Sequence, residues 1–172
     1  MKRNLFVLLA ACTMVLVGCG HVEKDIIVCG TYTGSGSYGV YSLAFDSQTG
    51  DIELIDSVSA ENPSYLTLSE DKKFVYAVRE SGDNSGVYSI SFDSEMGKFG
   101  EVSLCDEVGA DPCYITRLGD SFATADYSGG SVSFFAANDS GKLERITFTQ
   151  FYGRGQDSIR QKSSHIHCVM PS

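Results

Sequence analysis

The chain has 172 residues and a formal net charge of −9, from 13 Lys and Arg against 22 Asp and Glu, with 42% hydrophobic residues. That is the composition of one ordinary globular domain, and it argues against a disordered chain or a multi-pass membrane protein. Acidity without a Lys/Arg cluster also sets nucleic acid aside as a partner, because a polyanion would be repelled.

Lys2 and Arg3 precede an apolar run from Leu5 to Val17. The run falls short of the roughly 20 residues that span a bilayer as a helix, and it suits the core of a signal peptide. It ends in Leu16-Val17-Gly18-Cys19, which resembles a bacterial lipobox, so residues 1–18 are expected to be a lipoprotein signal peptide and Cys19 the lipid acceptor. Acyl chains contribute about 0.8 kcal/mol per buried methylene, so several on one Cys hold a protein on a membrane. Gly20 rather than Asp follows the Cys. By likeness to other lipoproteins this points to export across the inner membrane and residence at the outer membrane or cell surface. Of the six Cys, Cys12 lies in the signal, which leaves Cys29, Cys105, Cys113 and Cys168 for the folded part. They show no C-x-x-C spacing and three sit in apolar runs. Free buried thiols are therefore favoured over any of the three possible disulfide pairings, and a cysteine zinc site has no support.

Beyond the signal the chain repeats itself. GVYSLAFDSQTGDIEL begins at Gly39, GVYSISFDSEMGKFGE at Gly86 and GSVSFFAANDSGKLER at Gly130; each carries a second Gly at the same offset (Gly50, Gly97, Gly141) and an apolar residue just after it (Ile52, Phe99, Leu143). A second pair interleaves with the first: NPSYLTLSEDKKFVYAVRE from Asn62 and DPCYITRLGDSFATADY from Asp111. Within a unit the runs read as strands: A over Ser64 to Leu68, B over Phe74 to Arg79, C over Val87 to Phe92 and D over Phe99 to Cys105, with turn signals between them. Four short strands in about 45 residues is the pattern of a β-propeller blade, and no stretch past residue 20 has a useful helical period. The chain is thus expected to be all-β. It starts on a B strand (Ile26 to Thr31), runs through two full units and stops within a further A strand at Ser172. Because a ring needs four to eight blades, residues 19–172 are expected to be a partial propeller, cut at the C-terminus, whose first blade takes its A strand from the missing part.

The residues that carry a family resemblance are GTYT at Gly30, GVYSLAFD at Gly39, NPSYLTLSEDKKFVYAVRE, DPCYI, ADYSGGSVSFF from Ala125 and RQKSSHIH from Arg160. In order and spacing the sequence resembles the bacterial lactonase family of seven-bladed propellers, which includes a 6-phosphogluconolactonase. About three of seven four-stranded blades would then be present. Two positions depart from the family pattern, Ser164 in place of Pro before the H-x-H and Arg79 in place of Asn before Glu80.

In an antiparallel up-and-down sheet the end of B, the start of C, the end of D and the start of A share one edge. That gathers Arg79 and Glu80, the loop from Asp126 to Gly130, the segment from Arg154 to Gln161, and His165 on one face of the disc. His165 and His167 are two apart on an expected inner strand, so both are expected to point to one side. Opening a lactone needs a base for water and donors for the oxyanion. Imidazole, with an unperturbed pKa of about 6.5, is largely neutral at working pH and suits the base. Arg160 or Arg154 would hold the oxyanion or an anionic substituent, and Glu80 would orient a His or act as base itself. The resemblance supports His, Arg and Glu as the family's catalytic types. The expected catalytic set is therefore His165, His167, Arg160 and Glu80, with Arg79, Asp126, Tyr127 and Arg154 on the substrate.

Each of these has a plainer alternative: channel-lining or metal-binding His, a solvated Arg79–Glu80 pair, a structural turn around Tyr127, Gly129 and Gly130. The expected function is hydrolysis of a sugar lactone without metal or cofactor, in a protein monomeric at full length. A non-catalytic binding or scaffold lipoprotein is the alternative, since this fold hosts many functions. The lipobox favours an unphosphorylated lactone, phosphorylated sugar acids being expected inside the cell.

Overall fold

The computed structural model describes residues 24–172; the expected signal peptide, Cys12 and the lipid acceptor Cys19 lie outside the described residues. Three antiparallel sheets follow one another as blades. The first holds β1 (Asp25–Cys29), β2 (Gly39–Phe45) and β3 (Ile52–Ser59). The second holds β4 (Leu66–Leu68), β5 (Phe74–Arg79), β6 (Gly86–Asp93) and β7 (Lys98–Cys105), and the third β8 (Pro112–Leu118), β9 (Ser121–Asp126), β10 (Ser131–Ala137) and β11 (Leu143–Gln150). Each sheet pairs its strands in sequence order. The helical content among the described residues is one 3-10 turn, Gly82–Asn84.

The continuous apolar run of β5 shows why blades form. Val75 and Ala77 face the first sheet and join a core with Val40, Ile26 and Val28. Tyr76 and Val78 face the third sheet and join a core with Ile115, Phe122 and Phe135. A strand covered on both faces has no reason to alternate apolar with polar residues, and all four of these side chains are buried.

The repeated glycines are the pins of the structure. Gly50, Gly97 and Gly141 take φ of +80°, +68° and +76° at the turn joining C to D, a region that a Cβ would strain. At two junctions a hydroxyl of one blade reaches the hairpin of the next. Ser42 Oγ donates to Gly97 O at 2.5 Å and Tyr76 OH to Gly141 O at 3.0 Å. Ser89, the counterpart of Ser42, instead accepts from Leu143 N at 3.0 Å.

Three boundaries differ from expectation by more than one residue. β1 ends at Cys29 rather than Thr31. The A strand of the second blade pairs from Leu66 rather than Ser64, because Asn62 adopts φ +44° and Pro63 follows, so the chain is still turning at Ser64. Residues 151–172 contain no strand where an A strand was expected. An A strand finds its ladder partners only in the B strand of its own blade, and no such B strand is among the described residues. Beside the unpaired edge of β1, a cavity of about 770 Å³ opens between Ile26 and Val28 on one side and Leu66, Leu68 and Phe92 on the other.

Candidate functional site

The antiparallel order brings the ends of β1, β5 and β9 to one edge. The residues just beyond them, Tyr32, Glu80 and Tyr127, line a cavity of about 280 Å³ together with Ser64, Cys113 and His167. A repeated device aligns the blades there. Asn62 and Asp111, the first residues of their units, both adopt left-handed φ (+44° and +51°) ahead of a buried Pro. Asn62 Oδ1 accepts from Thr33 N at 2.9 Å and from Thr33 Oγ1 at 3.0 Å, and Asn62 Nδ2 donates to Glu80 O at 3.1 Å. Asp111 Oδ1 accepts from Gly82 N at 2.6 Å. Each unit thus grips the B-to-C loop of the unit before it, and those loops carry Tyr32 and Glu80.

Glu80 is the one Asp, Glu, Lys or Arg among the residues lining this cavity. Its Oε2 accepts from Tyr32 OH at 2.7 Å and from Ser64 Oγ at 2.5 Å. The Glu80 carboxylate, with burial adding to it, pushes the Tyr32 phenol up from its usual pKa, so the phenol stays the donor. Sequence reasoning missed Tyr32 and Ser64, although both stand in quoted motifs. Arg79 departs from its expected role: neighbours at a strand end point to opposite sides, and its guanidinium pairs with Glu61, Nε to Oε2 at 2.9 Å, rather than lining the cavity.

His165 and His167 lie on a segment without regular secondary structure instead of an inner strand, and they serve different cavities. Tyr127 stands between them, stacked on His165 at 4.6 Å between ring centroids and edge-on to His167 at 5.6 Å. His167 faces the Glu80 cavity, while His165 lines a second one of about 390 Å³ with Arg154, Gln161, Ser163 and Ser164. His165 Nδ1 lies 3.0 Å from Tyr127 O. A carbonyl only accepts, so in the neutral ring Nδ1 carries the proton and Nε2 keeps a bare lone pair. Nε2 is 3.4 Å from Ser163 Oγ.

Three further expected residues are placed as follows. Arg154 lines the second cavity beside His165. Arg160 sits in an exposed turn, its backbone N–H on Asp157 Oδ1 at 2.9 Å, and lines neither cavity. Asp126 is not at the surface of the site, because its carboxylate is fully buried inside the third blade. There it accepts from Thr124 Oγ1 (2.7 Å), Ser131 Oγ (2.9 Å), Ser133 Oγ (2.8 Å) and Gly109 N (3.2 Å). Burial raises its pKa against the pull of those donors.

The four Cys of the described residues are free thiols, three half-buried and Cys168 exposed, which corrects the expectation that all are buried. Burial, together with the Glu80 carboxylate, raises the pKa of Cys113. Its Sγ lies 3.7 Å from Ala125 O and 3.8 Å from both Ile166 O and His167 O. Among the described residues no three His, Cys, Asp or Glu side chains gather as a metal site requires.

Comparison with known proteins agrees with this architecture. Residues 26–172 match the family profile described as Lactonase, 7-bladed beta-propeller. A 6-phosphogluconolactonase of Formosa agariphila is 30% identical over 135 residues, which cover 75% of this chain and 38% of that protein. A 6-phosphogluconolactonase of Bacillus subtilis is 27% identical over 152 residues, covering 85% of this chain and 43% of that one. Among solved structures, a candidate 6-phosphogluconolactonase from Bacteroides fragilis superposes with TM-score 0.81 at 39% identity, over 86% of this chain and 42% of the other. The chain therefore spans about two fifths of the length of the relatives it matches. With the profile matched over nearly all described residues and the blades built as above, the chain belongs to the seven-bladed β-propeller lactonase family.

Proposed function

We propose that the protein, in its complete ring, hydrolyses a sugar lactone at the edge where β1, β5 and β9 end. The observation that carries the reading is His165, whose hydrogen bond to Tyr127 O leaves Nε2 as an acceptor in the same cavity as Arg154. The 6-phosphogluconolactonase relatives support the reaction class. In the proposed reaction Nε2 takes a proton from water as the oxygen attacks the lactone carbonyl, and the carbonyl electrons become an oxyanion that Arg154 neutralises. The bond from the carbonyl carbon to the ring oxygen then breaks as the oxyanion collapses. The ring oxygen leaves as a hydroxyl, taking the proton from the imidazolium, and the product is a hydroxy acid. No resident metal or cofactor enters these steps.

The lipobox at Leu16 to Cys19 supports a membrane-anchored, exported form and an unphosphorylated lactone. The test uses the full-length protein and follows acid release from five- and six-membered sugar lactones, with and without a phosphate. His165→Ala is expected to lower kcat by about 10² to 10⁴, the usual range for loss of a general base. A monodisperse full-length protein that leaves every lactone at its spontaneous rate would overturn the reading in favour of a binding lipoprotein. Cys19→Ala is expected to abolish acyl labelling and membrane partitioning.

A further inference from the structure

We infer that the Glu80 cavity is a separate subsite that reads an uncharged vicinal diol, with Tyr32, delivered by the preceding blade, as the residue that positions Glu80. This rests on the lactonase reading only for the identity of the reaction next door; the subsite stands on its own geometry. Both donors recorded on the carboxylate, Tyr32 OH and Ser64 Oγ, go to the same oxygen, Oε2. A carboxylate accepts at about four lone-pair positions, so Oε1, with no partner among the described residues, remains an acceptor. The backbone under it is braced as well: Glu80 N donates to Asn62 O at 3.2 Å while Asn62 Nδ2 donates to Glu80 O. The same Asn62 holds Thr33, next to Tyr32. Side chain and main chain are therefore fixed by one pair of contacts each, and the oxygen left over is presented rather than wandering.

The chemistry of the walls selects the ligand. Glu80 is the one Asp, Glu, Lys or Arg among the lining residues, so a phosphate or carboxylate meets its negative charge and is repelled there. The Cys113 sulfur is placed against three carbonyl oxygens, which occupies its one weak donor. His167 and the Tyr127 ring make the opposite side. A group that brings hydroxyl donors to Oε1 and needs no counter-charge fits, and neighbouring hydroxyls of a sugar ring are such a group. Size points the same way. Ligand sites usually enclose about 300–1,000 Å³, so about 280 Å³ takes one end of a sugar derivative. The cavity of His165 and Arg154, of about 390 Å³, lies across Tyr127 and takes the other end. An anionic substituent or a reacting carbonyl thus belongs on the Arg154 side, and the polyol end on the Glu80 side.

The test measures binding of 1,5-anhydro-D-glucitol, a ring polyol with no carbonyl to hydrolyse, to the full-length protein by ligand-observed NMR, beside lactone kinetics. Glu80→Gln turns the presented acceptor into a donor amide, and it is expected to weaken polyol binding about tenfold or more. Tyr32→Phe is expected to weaken it several-fold and to raise KM with little change in kcat, a split that general destabilisation would not produce. Ser64→Ala, with circular dichroism as the check on folding, stands in if Tyr32→Phe misfolds. His165→Ala is expected to keep polyol binding. If lactones are hydrolysed yet polyol binding ignores Glu80→Gln and Tyr32→Phe, the subsite is wrong while the lactonase reading stands. If the polyol binds in a Glu80-dependent way and no lactone is opened, the subsite stands and the reaction falls. Preferential binding of a simple ammonium ion in place of the polyol would also overturn the inference.

Discussion

Asp126→Ala removes a carboxylate that is buried at 0% exposure and accepts four hydrogen bonds. The Gly109 N–H is part-buried and keeps Ser133 Oγ as an acceptor at 3.3 Å, so losing the carboxylate there costs about 0.5–1 kcal/mol. The hydroxyls of Thr124, Ser131 and Ser133 can rotate toward other acceptors, so each forfeits about 0.5–1 kcal/mol. Relief of the carboxylate's own desolvation returns part of this, which leaves an expected loss of about 1–3 kcal/mol, a sizeable share of a domain's usual 5–15 kcal/mol. Urea unfolding followed by far-UV circular dichroism reads the change, since the chain has no Trp. Asp126→Asn keeps the shape and an acceptor for Gly109, and it removes the ionisation. Because burial raises the folded pKa of Asp126 above its ordinary value of 3.8, the favourable contribution of the protonated acid is complete below 3.8 and is lost as pH rises through the folded pKa. Relative to wild type, Asp126→Asn should therefore gain stability as pH rises through that window. The comparison isolates one group from carboxylates such as Asp56 and Asp46, whose pKa values are lowered by backbone N–H donors and whose contributions run the other way. Wild-type stability in Asp126→Ala at neutral pH, to within about 0.5 kcal/mol, would refute the reasoning.

Two further outcomes follow from geometry already described. Gly141→Ala places a Cβ against the Phe74 ring at a residue with φ +76°, and should cost more than the roughly 1 kcal/mol of an unhindered left-handed position; a thermal melt matching wild type would contradict it. Cys113, half-buried and held as a thiol by its raised pKa, should be alkylated at pH 7 well after exposed Cys168; peptide mass mapping of a timed reaction decides the order.

The blade pattern was legible because two physical constraints write themselves into sequence. β5 was readable as Phe74 to Arg79 because both of its faces are covered, which demands an unbroken apolar run. The repeated glycines were readable because only they take the left-handed turns without strain. Asp126 was misplaced for a different reason. An acidic residue beside Tyr127 at a strand end looks like a ligand contact, whereas its partners come from registered neighbours, Ser131 directly opposite and Ser133 paired with Thr124. That trio of small hydroxyls across two strands was the available signal. Tyr32 was also within reach, since it directly follows the expected first B strand, Ile26 to Thr31, as Glu80 follows β5 and Tyr127 follows β9. The division of His165 from His167 was not legible. It depends on Tyr127 standing between two rings that a regular strand would have turned the same way.

The hydroxyl contacts that land on the hairpins of Gly97 and Gly141 bear on where this chain can change length. A hairpin whose tip carbonyl or neighbouring amide is held by the previous blade cannot lengthen without withdrawing that group. Insertions are thus barred from the tips at Gly97 and Gly141. An insert meant to leave these two junctions undisturbed therefore belongs outside both tips, where no group of the previous blade loses its partner.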